Sequence, residues 1–244
     1  MADRARANIL GIHVDNVTYE EALCKMEGFI MDGRPHQVVT VNPEFIMTAR
    51  KDPHFARILN DSHLALPDGQ GLLWASRILG APLRQRVTGV DTVIRMAALS
   101  EEKGYRMYLL GAAEGVAEAA GQELRRRYPG LEIVGTYAGS SAPQEEEHIA
   151  DMILRAHPHI LFVAYGAPQQ ENWISRNLLR LGIPVAMGVG GAFDFISGQA
   201  KRAPSWVQRL GLEWLHRLSQ EPWRWHRALA LPKFAWLVFR TRFG

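Results

Sequence analysis

Cysteine is almost missing from these 244 residues: Cys24 stands alone. One thiol excludes an internal disulfide and any zinc site built from several cysteines, and it fits a reducing compartment. No apolar stretch reaches the roughly 18 residues needed to cross a bilayer, so any membrane contact is expected to be peripheral. The early run Ile9 to Val14 is interrupted by Gly11 and His13 and leads to no small-residue cleavage site, so it does not read as a signal peptide. The glycine fingerprint of dinucleotide-binding folds and the Walker A sequence are both missing, which argues against NAD enzymes and P-loop kinases. No Asp-x-Asp pair occurs, and His157 and His159, flanking Pro158, lie apart from any carboxylate cluster. Neither a metal nor a cofactor is expected.

What is present is an ordinary globular composition, 47% hydrophobic and 22% charged, with enough apolar residues for a sizeable core. The charge is unevenly spread. Residues 201–244 hold nine Lys/Arg against two Asp/Glu, a net of +7; the whole chain is +3, so residues 1–200 carry −4. Five of the seven tryptophans, Trp206, Trp214, Trp223, Trp225 and Trp236, fall in the same segment. A basic, aromatic tail on a mildly acidic body implies an anionic partner for the tail.

Apolar β-type runs alternate with helix-length amphipathic segments for most of the chain. Strands are predicted at Asn8–Val14, Gln37–Val41, Leu64–Leu66, Arg106–Leu110, Glu132–Tyr137, Ile160–Ala164 and Pro184–Gly188. Helices are predicted at Thr18–Met31, Pro43–Leu59, Gly69–Leu79, Asp91–Lys103, Ala113–Tyr128, Pro143–Ala156 and Pro168–Leu181. Thr18 with Glu21 three residues on is a capping box. From Arg106 to Gly188 strands and helices alternate strictly, and the strands are nearly all apolar, as a parallel sheet covered on both faces requires. The expected architecture is α/β: a Rossmann-like parallel sheet flanked by helices, with a helical basic and aromatic C-terminal appendage. The body would span 1–200, divided into two parts, about 1–104 and about 105–200. The appendage would span 201–244, where Trp206, Leu210, Trp214 and Leu218 form one stripe at four-residue spacing.

Ligands in such sheets bind at the carboxyl ends of the strands, and there the sequence turns polar or glycine-rich. One strand runs into Thr40, Asn42, Pro43 and Glu44; another ends in Asp68 and Gly69. Others end at Gly111, in Gly166, Ala167, Pro168 and Gln170, and in Gly188, Gly190 and Gly191. Glycine lets backbone amides approach an anion, and a following helix N-terminus adds its dipole; glycines after strands are also ordinary turn punctuation. Pro168 suits the first helical turn. Asp68 reads either as the N-cap of the next helix or as a general base. Arg86 reads as a surface arginine or as a fork for phosphate oxygens. Thr40, Asn42 and Gln170 are turn or capping groups, or neutral substrate contacts.

Taken in order, these segments resemble the WecG/TagA/CpsF glycosyltransferase family, over about Ile9 to Arg227. The resemblance is carried by Asn8 to Ile12, Thr40 to Glu44, Asp68-Gly69, Arg86 to Asp91, Gly166 to Trp173, Gly188 to Phe195, Lys201 to Trp206, Gly211 to Leu218 and Glu221-Pro222. It implies an inverting, metal-independent transfer of N-acetylmannosamine, its uronic acid or a related hexose. The sugar would pass from UDP to a polyprenyl-diphosphate-linked saccharide in cell-surface polysaccharide biosynthesis. It further implies Asp68 as the base for the acceptor hydroxyl and Arg86 beside the leaving diphosphate. Thr40, Asn42 and Gln170 would line the pocket, and Asp194 would lie near the nucleotide.

The resemblance associates the appendage with docking on the membrane, and its residues agree: Trp favours the lipid interface, and Arg/Lys favour anionic headgroups. Residues 204–244 are therefore expected on the anionic inner face of the cell membrane, making the protein cytoplasmic and peripheral. Arg217, Arg224 and Arg227 are alternatively placed to reach back to the donor diphosphate, and the stripe could simply pack on the body. A body exposing its tail site is open to self-association as a homo-oligomer. Two competing functions are a sugar-nucleotide oxidoreductase, opposed by the missing fingerprint, and a nucleic-acid-binding module, which leaves the strand-end loops unexplained. No nucleic-acid partner is expected.

Overall fold

The computed structural model describes residues 6–204, 207, 213–220 and 230–243. Trp206, Leu210, Arg224 and Arg227, and the side chain of Arg217, lie outside the described residues.

The chain opens with a short antiparallel hairpin, β1 (Ala7–Ile9) and β2 (Ile12–Val14). The single strand predicted across this stretch is turned back at Leu10 and Gly11, which take φ of 53° and 94°. Left-handed backbone at two successive residues is the geometry of a tight hairpin turn. Helix α1 (Tyr19–Asp32) follows, with the Thr18–Glu21 capping box formed as expected.

Six strands then build one parallel sheet: β3 (His36–Val41), β4 (Leu64–Pro67), β5 (Met107–Gly111), β6 (Ile133–Tyr137), β7 (Ile160–Ala164) and β8 (Val185–Gly188). Their spatial order is β4-β3-β8-β7-β5-β6. Connecting helices are α2 (Pro43–Ala49), α3 (Pro53–Asp61), α4 (Gln70–Ile78), α5 (Gly89–Lys103), α6 (Val116–Arg127), α7 (Pro143–Ala156) and α8 (Gln169–Leu181). The short α9 (Ala192–Ile196) follows β8, and the described C-terminal helices are α10 (Glu213–Gln220) and α11 (Ala230–Phe243). This is the Rossmann-like α/β arrangement expected from the strand–helix alternation.

Side chains alternate across the sheet as strand geometry dictates. On one face Val38, Leu66, Leu109, Phe162 and Met187 pack against α1, α5, α6 and α9. The opposite face holds two separate clusters. Val39, Val41 and Ala65 pack with α2, α3 and α4, while Leu110, Leu161, Val163 and Ala186 pack with α7 and α8. Phe234 and Val238 of α11 are buried in the first of these, so part of the tail packs on the body.

Two local readings change. The helix predicted over 43–59 is two helices, because Asp52 caps α3 from an extended conformation with Pro53 directly behind it. A residue before proline is driven out of the helical region. Asp68 is not a helix cap: α4 is capped by Gly69 at φ 110°, with no side-chain bond.

Candidate active site

The strand order decides which loops meet. Because β8 inserts between β3 and β7, the carboxyl ends of β4, β3, β8 and β7 stand side by side. Asp68, Asn42, Gly190 and Gly166, remote in sequence, therefore surround one cleft. Its larger lobe has a volume of about 610 Å³ and reaches Lys51 and Asp52. A smaller lobe of about 240 Å³ holds Arg86, Arg202 and Glu213. Asn42, Glu44, Asp68, Val189, Gly191, Trp214 and Leu231 line both lobes.

Asp68 lies at the junction. Its backbone N–H is bonded to the Val41 carbonyl at 2.8 Å, fixing the end of β4 against the end of β3. Its carboxyl receives the Gly89 amide. Burial raises its pKa, the Arg86 charge lowers it and the Glu213 carboxylate raises it again, with the balance at about 6. A carboxyl poised there can take a proton near neutral pH. Asn42 caps α2 by accepting from Phe45 N at 2.9 Å, and the Thr40 hydroxyl donates to the Gly188 carbonyl at 3.3 Å. Both residues line the cleft, and both also have structural bonds.

Gln170 is buried and ties two loops together. Its Oε1 accepts the amides of Gly166 at 3.1 Å and Gly190 at 3.0 Å, while its Nε2 donates to Glu171 Oε1 at 2.7 Å. Glu171 is fully buried beside it, and its backbone carbonyl accepts from Gln37 Nε2 at 3.1 Å. Among the described residues no cation pairs with this carboxyl, and burial pushes its pKa up to about 8, opposed by the Gln170 bond. Gly188 makes room for the pair: a Cβ there would stand 2.4 Å from Glu171 Oε1 and 2.6 Å from Gln170 Nε2.

The smaller lobe is charged. Arg86 Nη1 meets Glu213 Oε2 at 3.1 Å, and Arg202 Nε meets Glu213 Oε1 at 3.5 Å. Arg202 also grips Asp91 through both terminal nitrogens, at 2.5 and 2.8 Å. Asp91 further accepts from Thr88 at 2.8 Å and Tyr19 at 3.0 Å. Burial alone would raise the Asp91 pKa, but the bonds from Arg202, Thr88 and Tyr19 outweigh it and hold it at about 2.

Of the predicted site residues, Thr40, Asn42, Asp68, Arg86, Gly166, Ala167, Gln170, Gly190 and Gly191 are brought together. Three others line neither lobe. Gly111, at φ 101°, has a packing reason instead, since a Cβ there would lie 2.8 Å from the Ala164 backbone. Pro168 stands one residue before α8, at its cap position rather than in its first turn. Asp194 sits on α9, where its carbonyl accepts from Ser197 and Ala200. Sequence reading missed the partnership of Glu213, Arg202 and Asp91. Their motifs were visible, but ion pairs spanning 111 and 127 residues carry no local signal.

Among the described residues no group of three or more His, Cys, Asp or Glu is placed to hold a metal ion, and no helix is long and apolar enough to cross a membrane. A part-accessible carboxyl of raised pKa, glycine-loop amides and a guanidinium around one cleft suit proton removal from a hydroxyl beside a departing anion.

Residues 7–244 match the glycosyl transferase WecG/TagA/CpsF family. The chain is similar to the N-acetylglucosaminyldiphosphoundecaprenol N-acetyl-beta-D-mannosaminyltransferase of Bacillus subtilis (strain 168), 38% identical over 203 residues, covering 83% of this chain and 78% of that protein. The protein of the same name from Staphylococcus aureus (strain MW2) is 28% identical over 243 residues, covering 99% of this chain and 95% of that one.

Proposed function

The chain belongs to the glycosyl transferase WecG/TagA/CpsF family, and from that premise we propose that this glycosyltransferase moves N-acetylmannosamine, or a close relative, from UDP to the sugar of a polyprenyl-diphosphate-linked N-acetylglucosamine. The donor sugar and acceptor follow the name carried by the similar Bacillus and Staphylococcus proteins.

The single observation that carries it is the position of Asp68, between the glycine loops and Arg86, with a pKa raised to about 6. In this scheme Asp68 accepts the proton of the acceptor hydroxyl as the oxygen attacks the sugar's anomeric carbon. The bond from that carbon to the diphosphate oxygen breaks on the opposite face, and the electron pair leaves with UDP. One carboxylate base on the attacking side gives inversion. Arg86 and the backbone amides of the Gly166 and Gly190 loops steady the departing charge. Thr40 and Asn42 line the sugar pocket, and Gln170 holds the two loops in place. Guanidinium groups in the cleft, with no Asp-x-Asp in the sequence, support metal-independent departure of the diphosphate.

The acceptor's lipid requires a membrane, and α11 suits one. It exposes Trp236, Phe239 and Phe243 beside Arg240 and Arg242. Peripheral attachment through this helix, at the face where the lipid diphosphate is presented, completes the proposal. The test is release of UDP from a panel of UDP-sugars in EDTA, with and without polyprenyl-diphosphate-N-acetylglucosamine.

A further inference from the structure

In the smaller lobe a carboxylate of the chain itself stands where an anion would be bound. Glu213 places one oxygen 3.1 Å from Arg86 and the other 3.5 Å from Arg202, so two guanidinium groups from distant segments converge on a single anionic group. Two arginines converging on one anionic group is an arrangement that phosphate oxygens favour. Glu213 opens α10, and Trp214, the next residue, lines both lobes while 43% exposed.

The charge balance says that this occupant is temporary. Two arginines, Arg86 and Arg202, are set against four carboxyls, Glu44, Asp68, Asp91 and Glu213. A diphosphate brings further negative charge, and with Glu213 in place the lobe would oppose it. Asp91 is committed: it holds Arg202 bidentately and is bonded by Thr88 and Tyr19. Asp68 is needed as the base. Glu213 is the carboxylate that touches both arginines, and among the described residues its side chain has no other ion pair, so it is the one that can leave.

We propose that Arg86 and Arg202 together form the seat of the donor's diphosphate, and that Glu213 occupies that seat until the donor displaces it. The proposal rests on the donor reading above and adds two residues to it: Arg202 as a second diphosphate ligand, through the Nε edge that now faces Glu213, and Glu213 as an internal competitor. Donor entry then moves the start of α10 and carries Trp214 with it, so that filling the seat reshapes the wall that the two lobes share.

The experiment is calorimetric titration of the full chain with UDP, inorganic pyrophosphate and uridine, comparing wild type, Glu213→Gln, Arg202→Ala and the double variant. Glu213→Gln should bind UDP and pyrophosphate about tenfold more tightly, the scale of one partly solvated charge interaction, with uridine binding unchanged. Arg202→Ala should bind UDP and pyrophosphate more weakly, and the gain from Glu213→Gln should shrink in its background. Equal or weaker UDP binding by Glu213→Gln overturns the proposal and makes Glu213 a latch; the donor reading then stands, since UDP still binds. Tighter pyrophosphate binding without UDP binding in any form supports the seat and removes the UDP reading. Absence of binding by either ligand to any form overturns both.

Discussion

Gln170 donates to Glu171 at 2.7 Å, and the pair lies directly over the bare Cα of Gly188. The bond orients the Gln170 amide so that its oxygen faces the amides of Gly166 and Gly190. Glu171 is thus a positioning group for both glycine loops, and its burial without a cation favours the neutral acid. With a folded pKa of about 8 against an ordinary carboxylate value, the folded state keeps a proton that the unfolded chain loses. Stability therefore falls as pH rises from about 4.5 to about 8, by up to about 1.4 kcal/mol per unit from this group. Glu171→Gln should flatten that fall, and its melting temperature should exceed that of wild type at pH 8. Parallel melting curves for the two proteins from pH 5 to pH 8 would sink the idea.

Gly188 offers a second test of the same contact. A methyl at this position would press on the Glu171 and Gln170 side chains, both buried. Gly188→Ala should cost about 1–3 kcal/mol, the usual range for overpacking, and should weaken UDP binding by spreading the loops. Denaturant unfolding and a UDP titration check both effects; wild-type values in each would show that the loops are held by something else.

For the base, the pKa of about 6 sets a pH profile. Asp68 must be ionised to accept a proton, so kcat/KM should fall about tenfold per unit below pH 6. Asp68→Asn should lower turnover by about 10²- to 10⁴-fold while UDP binding stays within a few-fold. Turnover near wild type in that variant would remove Asp68 from the role.

Much of this was legible beforehand. The β5–β8 half announced itself because its strands are buried on both faces and read as continuous apolar runs, Ile160–Ala164 being the clearest. The expected loops at strand ends gather around one cleft because parallel topology sends every strand's carboxyl end the same way. What the sequence hid was pairing across distance. Nothing near Arg86 names Glu213, 127 residues on, as its partner. Gln170 reads in the sequence as a turn or capping group or a substrate contact, and its bonds to Gly166 and Gly190 emerge only in the fold. Gly111 looked like a loop glycine for ligand approach, but its role is the close passage of β5 and β7. The break at Asp52 is written in Pro53, which drives the residue before it out of the helical region.

The exposed face of α11 gives a prediction for the membrane. Trp236 and Phe239 are 55% and 53% exposed, whereas Phe234 and Val238 of the same helix are buried. Replacing Trp236 and Phe239 with Ser should strongly reduce flotation with anionic liposomes while leaving the melting temperature within a degree or two. Unchanged flotation would mean that attachment lies elsewhere.

The most direct test of the account is UDP release in EDTA from UDP-N-acetylmannosamine, with polyprenyl-diphosphate-N-acetylglucosamine present or omitted. Acceptor-dependent release is expected that the chelator does not diminish and that Asp68→Asn lowers by about 10²- to 10⁴-fold. No release with folded protein and lipid present, or release that EDTA stops, would contradict it.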